Sequence, residues 1–168
     1  MQQIKHPGQK VALLIDAQNL YHCAKNLYKG AKVNFYEVLK SSVADRILIR
    51  ALAYVIRTES GEEKPFFEAL EKLGIETRVK DLQKFKSGAK KADWDVGIAV
   101  DAIRISPGVD TVVLASGDGD FLQLVEYLKN HGKRIEVISF GKATSSKLKK
   151  EADEFIDMGK DTKKYLLK

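Results

Sequence analysis

Two kinds of segment alternate along the chain, and their hydrophobic patterns differ. Short, almost continuously apolar runs are typical of strands that are buried on both faces. The most uniform runs are residues 11–15 and 111–115, so we place these two at the centre of a sheet. In all, the pattern predicts five strands and a short sixth, at residues 11–15, 46–57, 75–79, 111–115, 135–138 and 154–158.

Helical periodicity fills the segments between these runs. One apolar stripe has the spacing i, i+3, i+4, i+7 and i+8 of an amphipathic helix, and it consists of Leu20, Cys23, Ala24, Leu27 and Tyr28. Similar patterns predict helices at 65–73, 93–105, 121–128 and 146–153, and Asn34 with Glu37 has capping-box spacing. Strands that alternate with helices in this way predict an α/β fold with a parallel sheet covered on both faces.

Residues 80–92 break the pattern, and we interpret them as a mobile basic loop. The segment contains one aromatic residue and several lysines, namely Phe85, Lys80, Lys84, Lys86, Lys90 and Lys91. We expect Lys84, Lys86, Lys90 and Lys91 to hold the phosphates of a nucleic acid through counterion release. Phe85 and the nearby Trp94 would stack on unpaired bases. A simple solvated loop and a core tryptophan are the alternatives.

Composition narrows the class of protein. A chain of 168 residues suits one domain, with an expected core at about 10–158 and a charged tail at 159–168. The net charge of +6 favours a polyanionic partner without establishing one. The single cysteine, Cys23, is expected in the core and excludes an internal disulfide and a thiolate zinc cluster. No segment reads as a signal peptide or a membrane span, so we expect a cytoplasmic protein.

Acidic residues follow both central strands and open a helix between them. Asp16 comes directly after the first strand, and Asp118 and Asp120 lie in a glycine-rich turn after the fourth. Asp93 and Asp95 stand at the start of the intervening helix. The carboxyl edge of a parallel sheet is where ligands bind, so these acids are expected in one pocket. Clustered carboxylates repel one another unless a cation is present, and hard oxygen ligands favour Mg²⁺ or Mn²⁺.

The chemistry that such a site supports is phosphodiester hydrolysis, because a bound divalent ion lowers the pKa of its water. The candidate metal ligands are the five acids of this edge, which Asn19 can join as a neutral oxygen ligand, namely Asp16, Asp93, Asp95, Asp118 and Asp120. Asp120 would complete the metal shell or orient the water. Ser116 and Asn19 would donate hydrogen bonds to a phosphate or bind metal-held waters.

Each of these residues also has a purely structural interpretation. Asp93, Asp118 or Asp120 could cap a helix N-terminus, and Asn19 could be an ordinary first-turn residue. Separate caps do not explain why acids follow both central strands and also open the helix between them.

One further acid and the histidines fit this scheme less well. Asp101 lies about 120° around the helix from Asp95, so both cannot point at one ion, and one of the pair would be structural. The three histidines lack the spacing of metal ligands and receive no role, namely His6, His22 and His131.

Four short motifs resemble those of the NYN domain, in the LabA-like branch of the PIN-like nuclease superfamily. They are LIDAQNL at 14–20, DVGIAVD at 95–101 after a lysine-rich turn, SGDGDF at 116–121, and Leu148 followed by ADEFI at 152–156. The resemblance covers nearly the whole chain, and the four motifs occur in the order typical of that branch.

The resemblance implies a PIN-like three-layer αβα sandwich with strand order 3-2-1-4-5 and a divalent-metal ribonuclease site. By position, Asp16, Asp95, Asp118 and Asp120 would be its acids, with Asn19 beside them. Asp101 matches a recurrent acid of the branch, whereas Asp93 is an additional one. The resemblance also implies a homodimer as one expected state, and some members of the branch look like regulators without clear cleavage activity.

Three functions therefore remain open. The leading hypothesis is an Mg²⁺- or Mn²⁺-dependent endoribonuclease acting on single-stranded or structured RNA. The second is a non-catalytic module that binds RNA or a nucleotide in the same pocket. The third is a phosphatase or a flap-type DNA nuclease.

Overall fold

The computed structural model describes residues 5–84, 90–91 and 93–167. Phe85 and Lys86, to which the sequence assigned contacts with nucleic acid, lie outside the described residues. Of Lys84, Lys90 and Lys91 only the backbone is described.

The described residues include ten strands, seven α-helices and four short 3₁₀ helices. The strands are β1 (Lys10–Asp16), β2 (Lys32–Val33), β3 (Ile47–Arg57), β4 (Glu76–Asp81), β5 (Gln83–Lys84), β6 (Lys90–Lys91), β7 (Thr111–Ala115), β8 (Arg134–Ser139), β9 (Glu154–Asp157) and β10 (Leu166–Leu167). The helices are α1 (Ala17–Leu27), α2 (Phe35–Val43), α3 (Lys64–Lys72), α4 (Asp95–Ile105), α5 (Leu122–Asn130), α6 (Ser146–Glu151) and α7 (Thr162–Tyr165).

Six parallel strands form the central sheet, in the order β4-β3-β1-β7-β8-β9. The first five follow the predicted order 3-2-1-4-5, and the sheet differs from that prediction in its sixth strand, β9, which pairs with β8 at the edge. The two most apolar strands, β1 and β7, are neighbours at the centre, with Ile15 opposite Ala115. Asp16 and Ser116 therefore leave the sheet side by side at the same carboxyl edge.

A hydrophobic core lies on each face of the sheet. Alternate residues of β1 point to opposite faces, so Leu13 packs with α1, α2 and α3, whereas Leu14 packs with α4 and α5. Because both faces of the strand are covered, neither alternate position tolerates a polar side chain, which explains the unbroken apolar run. The predicted three-layer αβα sandwich is confirmed.

The basic segment is not a loop throughout. Lys80 belongs to the edge strand β4, and β5 pairs with β6 as a short antiparallel ladder. Pairing satisfies the backbone N–H and C=O groups of these residues, which a lysine-rich composition does not prevent. The prediction of a loop over residues 80–92 is wrong at these strands.

The charged tail is folded in its described part. Its residues form α7 and β10, and β10 pairs with β2. Tyr165 is buried and its hydroxyl lies 2.8 Å from the Ser41 hydroxyl. The buried Tyr165 and the pairing of β10 with β2 therefore attach this charged segment to the rest of the protein.

A buried ion pair joins the two halves of the sheet on the amino side. The guanidinium of Arg46 donates two hydrogen bonds of 2.8 Å to the carboxylate of Glu136, and both side chains are fully buried. Arg46 also donates to the backbone oxygens of Ser42 and Val43. The ionised partners hold the pKa of Glu136 below its usual range although burial opposes this.

Among the helices in the described residues, none combines the length and the apolarity that crossing a membrane requires.

Candidate functional site

Asp16 links the two central strands at their carboxyl edge. It is only 8% exposed, and its Oδ1 accepts the Asn19 N–H at 3.2 Å, which caps α1. Its Oδ2 accepts the Ser116 hydroxyl at 3.1 Å across the strand boundary. Burial raises the pKa of Asp16, and the charges of Asp118 and Asp93 add to the rise, whereas the two hydrogen bonds oppose it. Ionised Asp16 is thus costly without a nearby cation.

The glycine-rich turn after β7 is held by its own polar groups. The Asp118 N–H donates to Ser116 Oγ at 3.2 Å, and the Asp120 N–H donates to Asp118 Oδ1 at 2.9 Å. Asp118 therefore does cap the short 3₁₀ helix that precedes α5. A Cβ at Gly117 would lie 2.8 Å from Thr144 Oγ1, so only glycine allows this close approach to the loop after β8.

Three carboxylates converge at the mouth of this edge. Asp95, Asp118 and Asp120 each offer an oxygen within 4.8 Å of the others. Burial raises the pKa of Asp95 to about 6, and the charges of the neighbouring acids, Asp118 first, add to the rise. Oxygens that share one Mg²⁺ at about 2.1 Å lie at most about 4.2 Å apart. The donor set therefore fits a hard divalent cation after small side-chain adjustments.

Two further predicted acids, Asp16 and Asp93, lie outside this group of three and line a cleft together with Asp95 and Asp118. Both oxygens of Asp16 already accept hydrogen bonds, one from the Asn19 N–H and one from the Ser116 hydroxyl. Asp93 precedes the helix, and its Oδ1 accepts the Asp95 N–H at 3.3 Å. The Lys80 ammonium donates to the Asp93 backbone oxygen at 3.0 Å. Of Asp93 and Asp95, only Asp95 joins the three-carboxylate group.

Asp101 points away from the acids into the protein. Its Oδ2 accepts the Tyr54 hydroxyl at 2.8 Å and lies 3.5 Å from Arg78 Nε. Burial, followed by the bond to Asp101, raises the pKa of Tyr54. Asp101 therefore attaches α4 to β3, which is the structural role that its 120° offset from Asp95 left open.

Trp94 is anchored beside the acids. Its indole N–H donates to the Val55 backbone oxygen at 3.0 Å, and its ring meets Tyr54 edge-on at 5.3 Å. The Lys80 ammonium lies 4.3 Å from the centre of the ring. A Cβ at Gly97 would lie 2.5 Å from the ring, so the backbone of α4 packs against it. The half-buried ring still lines the cleft.

The cleft has a volume of about 380 Å³, and one face of α1 forms part of its wall. Three residues of this wall were not predicted from the sequence, namely Gln18, His22 and Asn26. Cys23, which was expected in the core, also lines the cleft. Burial and the charge of Asp16 raise the pKa of the Cys23 thiol. The missed signal was helical spacing, because His22, Cys23 and Asn26 follow Asn19 at i+3, i+4 and i+7.

Asn19 connects this wall to the acidic turn. Its side-chain oxygen accepts the Gly117 N–H at 3.0 Å and faces the Cys23 thiol at 3.8 Å. The side-chain oxygen of Asn19 is thus engaged. The expected contact of Asn19 with metal-held water or a phosphate would therefore be made by its side-chain NH₂ group, and it stays a prediction.

Comparison with known proteins reveals relatives that span most of the chain. The protein is 25% identical over 158 residues to the low amplitude and bright protein LabA of Synechococcus elongatus, covering 89% of this chain and 83% of LabA. It is 33% identical over 160 residues to an uncharacterised protein of Methanocaldococcus jannaschii, covering 94% of this chain but 59% of that relative.

A solved structure has the same fold. The crystal structure of a protein of unknown function from Vibrio parahaemolyticus superposes with a TM-score of 0.86 at 32% sequence identity, covering 98% of this chain and all of that one. The family model of the NYN domain matches residues 10–159. This match spans almost the entire sheet and every acid described above, and it shows that the chain belongs to the NYN domain family, within a nuclease superfamily.

Proposed function

We propose that this protein is a ribonuclease that uses Mg²⁺ or Mn²⁺ to hydrolyse phosphodiester bonds in single-stranded or structured RNA. The observation that carries the proposal is the convergence of Asp95, Asp118 and Asp120, whose oxygens lie within 4.8 Å of one another. Asp95 and Asp118 also line the cleft, as does Asp16. Membership of a nuclease superfamily supports hydrolysis, and the net charge of +6 favours a polyanionic substrate.

The residues at this edge of the sheet have different roles in the proposed reaction. A bound divalent ion would supply an activated water and neutralise the charge that develops on the phosphate. Asp95 and Asp118 would hold the ion, and Asp16 would support them from the buried side of the cleft. Asp120 is the exposed member of the group and orients the attacking water. Ser116 keeps Asp16 and the turn in register through its two hydrogen bonds.

The decisive experiment is cleavage of labelled RNA by the purified protein with Mg²⁺ or Mn²⁺. We expect Asp118→Asn to abolish cleavage, because the amide removes one anionic ligand from the group. Asp45→Asn is a matched control, since Asp45 is exposed, lies outside the cleft and has the positive φ of 60° that asparagine tolerates. Equally intact RNA with the wild type and Asp118→Asn would sink the enzyme proposal.

Two rival functions are separated by the same reagents. Metal-independent, salt-sensitive RNA binding without products would support a non-catalytic module that binds RNA or a nucleotide. Faster hydrolysis of branched DNA or of a phosphomonoester than of RNA would support a flap-type nuclease or a phosphatase. The acid group favours chemistry over binding alone, because carboxylates repel a polyanion unless a cation intervenes.

We also propose a cytoplasmic location, and a homodimer formed through α4. Val96, Val100 and Ile103 are exposed, Val96 by 75%, and with Ala99 they have the spacing i, i+3, i+4 and i+7. This pattern is unchanged when read backwards, so two copies can pack antiparallel on the same residues. Such packing also brings the basic end of one helix, at Arg104, to the acidic end of the other.

Light scattering during size-exclusion chromatography tests the dimer. We expect Val100→Glu to convert it to a monomer, because a charge would be buried in the apolar stripe. Tyr36→Glu is the control, since Tyr36 is an exposed apolar residue on α2, in the opposite helix layer. A monomeric wild type, or a dimer that survives Val100→Glu, would contradict the assignment.

A further inference from the structure

One wall of the cleft carries polar side chains that the metal chemistry does not use. Gln18, His22 and Asn26 lie on α1 at i, i+4 and i+8 and all line the cleft. With a rise of about 1.5 Å per residue, the wall extends about 12 Å along the helix, away from the acids at its N-terminus. A ligand held at the acids would therefore reach along this wall.

These side chains are available for a ligand. Within the part of the chain that the structure describes, none of the three has a hydrogen-bond partner, and His22 makes only an edge-on ring contact with Tyr21. The neighbouring Asn19 differs, because its oxygen already accepts the Gly117 N–H. Carboxamides offer a donor and an acceptor together, and an imidazole offers one of each when neutral.

The charge of the cleft indicates which part of a nucleotide this wall suits. Its lining residues include four aspartates, and among the described residues that line it there is no lysine or arginine. Lys25 of α1 is not among the residues that line the cleft, so a phosphate would find no lysine or arginine on the described face of α1 that does. An uncharged, planar group with donors and acceptors on its edge would pair with the carboxamides and the imidazole.

Size and apolar surface agree with this. The volume of about 380 Å³ is at the small end of ligand pockets, which range from about 300 to 1,000 Å³. Trp94 and Leu27 add apolar surface to the same lining, and an aromatic face can stack on any base.

We propose that the α1 wall is a nucleobase-binding subsite in which Gln18, His22 and Asn26 read the edge of a base adjacent to the phosphate held at the acids. The placement of that phosphate rests on the proposed function, whereas recognition of the base does not require cleavage. The base belongs either to an RNA strand or to a free nucleotide.

Binding is measured with Mg²⁺, which lets the acids hold the phosphate, and in parallel with a chelator, and the recovered RNA is checked for cleavage. The ligands are uniform single-stranded RNA octamers of A, C or U and the corresponding nucleoside 5′-monophosphates. The variant is His22→Ala with Asn26→Ala in the full chain. The matched control is Asn130→Ala with His131→Ala, which removes the same two side-chain types at the end of α5, outside the cleft. Thermal denaturation checks that both proteins fold.

The wild type should prefer one base, and the variant should bind that ligand at least tenfold more weakly, with affinities for the three bases within twofold of one another. The control should keep the wild-type preference. The salt dependence of RNA binding should not change, because no phosphate contact is removed. Quenching of Trp94, the single tryptophan, by the preferred ligand provides a second readout.

The outcomes separate the occupants and the two proposals. A preference among octamers that the variant loses assigns the subsite to an RNA strand, and one seen only with monophosphates assigns it to a free nucleotide. Equal affinities and preferences in the wild type and the variant would overturn the subsite. Base preference without any metal-dependent cleavage would overturn the ribonuclease proposal and leave the subsite standing.

Discussion

Replacing Asp118 by asparagine should stabilise the metal-free protein while removing its response to metal. Ionised Asp118 is the largest of the charges that raise the pKa of Asp95 to about 6, after burial. A carboxyl whose pKa is higher in the folded than in the unfolded state binds more protons when folded. The contribution of Asp95 to the free energy of unfolding therefore decreases as the pH rises from about 4 to about 6, and the protein stays less stable above that range.

The size of the effect follows from this coupling. One pKa unit corresponds to about 1.4 kcal/mol. Burial supplies the largest share of the rise at Asp95, and solvent screens a partly exposed group, so we assign about 1 kcal/mol to Asp118. For a chain of this length that amount raises the melting temperature by about 2–4 °C. The asparagine oxygen can still accept the Asp120 N–H, so the cap of the 3₁₀ helix is kept.

Thermal denaturation with a chelator at pH 8 and at pH 4 measures this prediction. At pH 8 the melting temperature of the variant should be higher than that of the wild type. At pH 4, where Asp95 is largely protonated, the two melting temperatures should be equal. Added Mn²⁺ should then raise the melting temperature of the wild type by binding the folded state, and that of the variant much less. Asp45→Asn should behave as the wild type throughout.

A variant that melts below the wild type at pH 8 in chelator would refute the repulsion argument. An equal Mn²⁺ response in both proteins would refute the assignment of Asp118 as a metal ligand.

Three further substitutions test the scaffold that holds the site. Gly97→Ala should destabilise the protein by about 1–3 kcal/mol and shift the emission of Trp94, because the added methyl group meets the ring; an unchanged spectrum would contradict that packing. Tyr54→Phe should cost about 1–3 kcal/mol in urea denaturation, since it leaves buried Asp101 without its 2.8 Å donor; a neutral result would show that another donor replaces the hydroxyl. Glu136→Gln should cost about 3–5 kcal/mol by leaving a buried guanidinium without its counter-charge, and its melting temperature should fall far more than that of any surface variant.

The sequence could predict the sheet because strand burial leaves a local trace. The runs at 11–15 and 111–115 are apolar except for Thr111, because helices cover both faces of the sheet, and this uniformity placed the two strands at its centre. The prediction failed where the composition of a segment does not indicate the strand that the segment forms. The predicted loop contains the lysine-rich strands β5 and β6, and no strand was predicted for β10 within the charged tail.

The sequence by itself determined which residue types reach the carboxyl edge, because an acid that directly follows a strand can lie nowhere else. Only the tertiary structure decided which of these acids come together at that edge and which contact the core. The rotation of α4, fixed by Tyr54 and Trp94, brings Asp95 to Asp118 and turns Asp101 into the protein. The tertiary structure also places one face of α1 along the cleft, so that His22 and Asn26 line it. Such choices depend on contacts between segments far apart in the chain, and local periodicity carries no record of them.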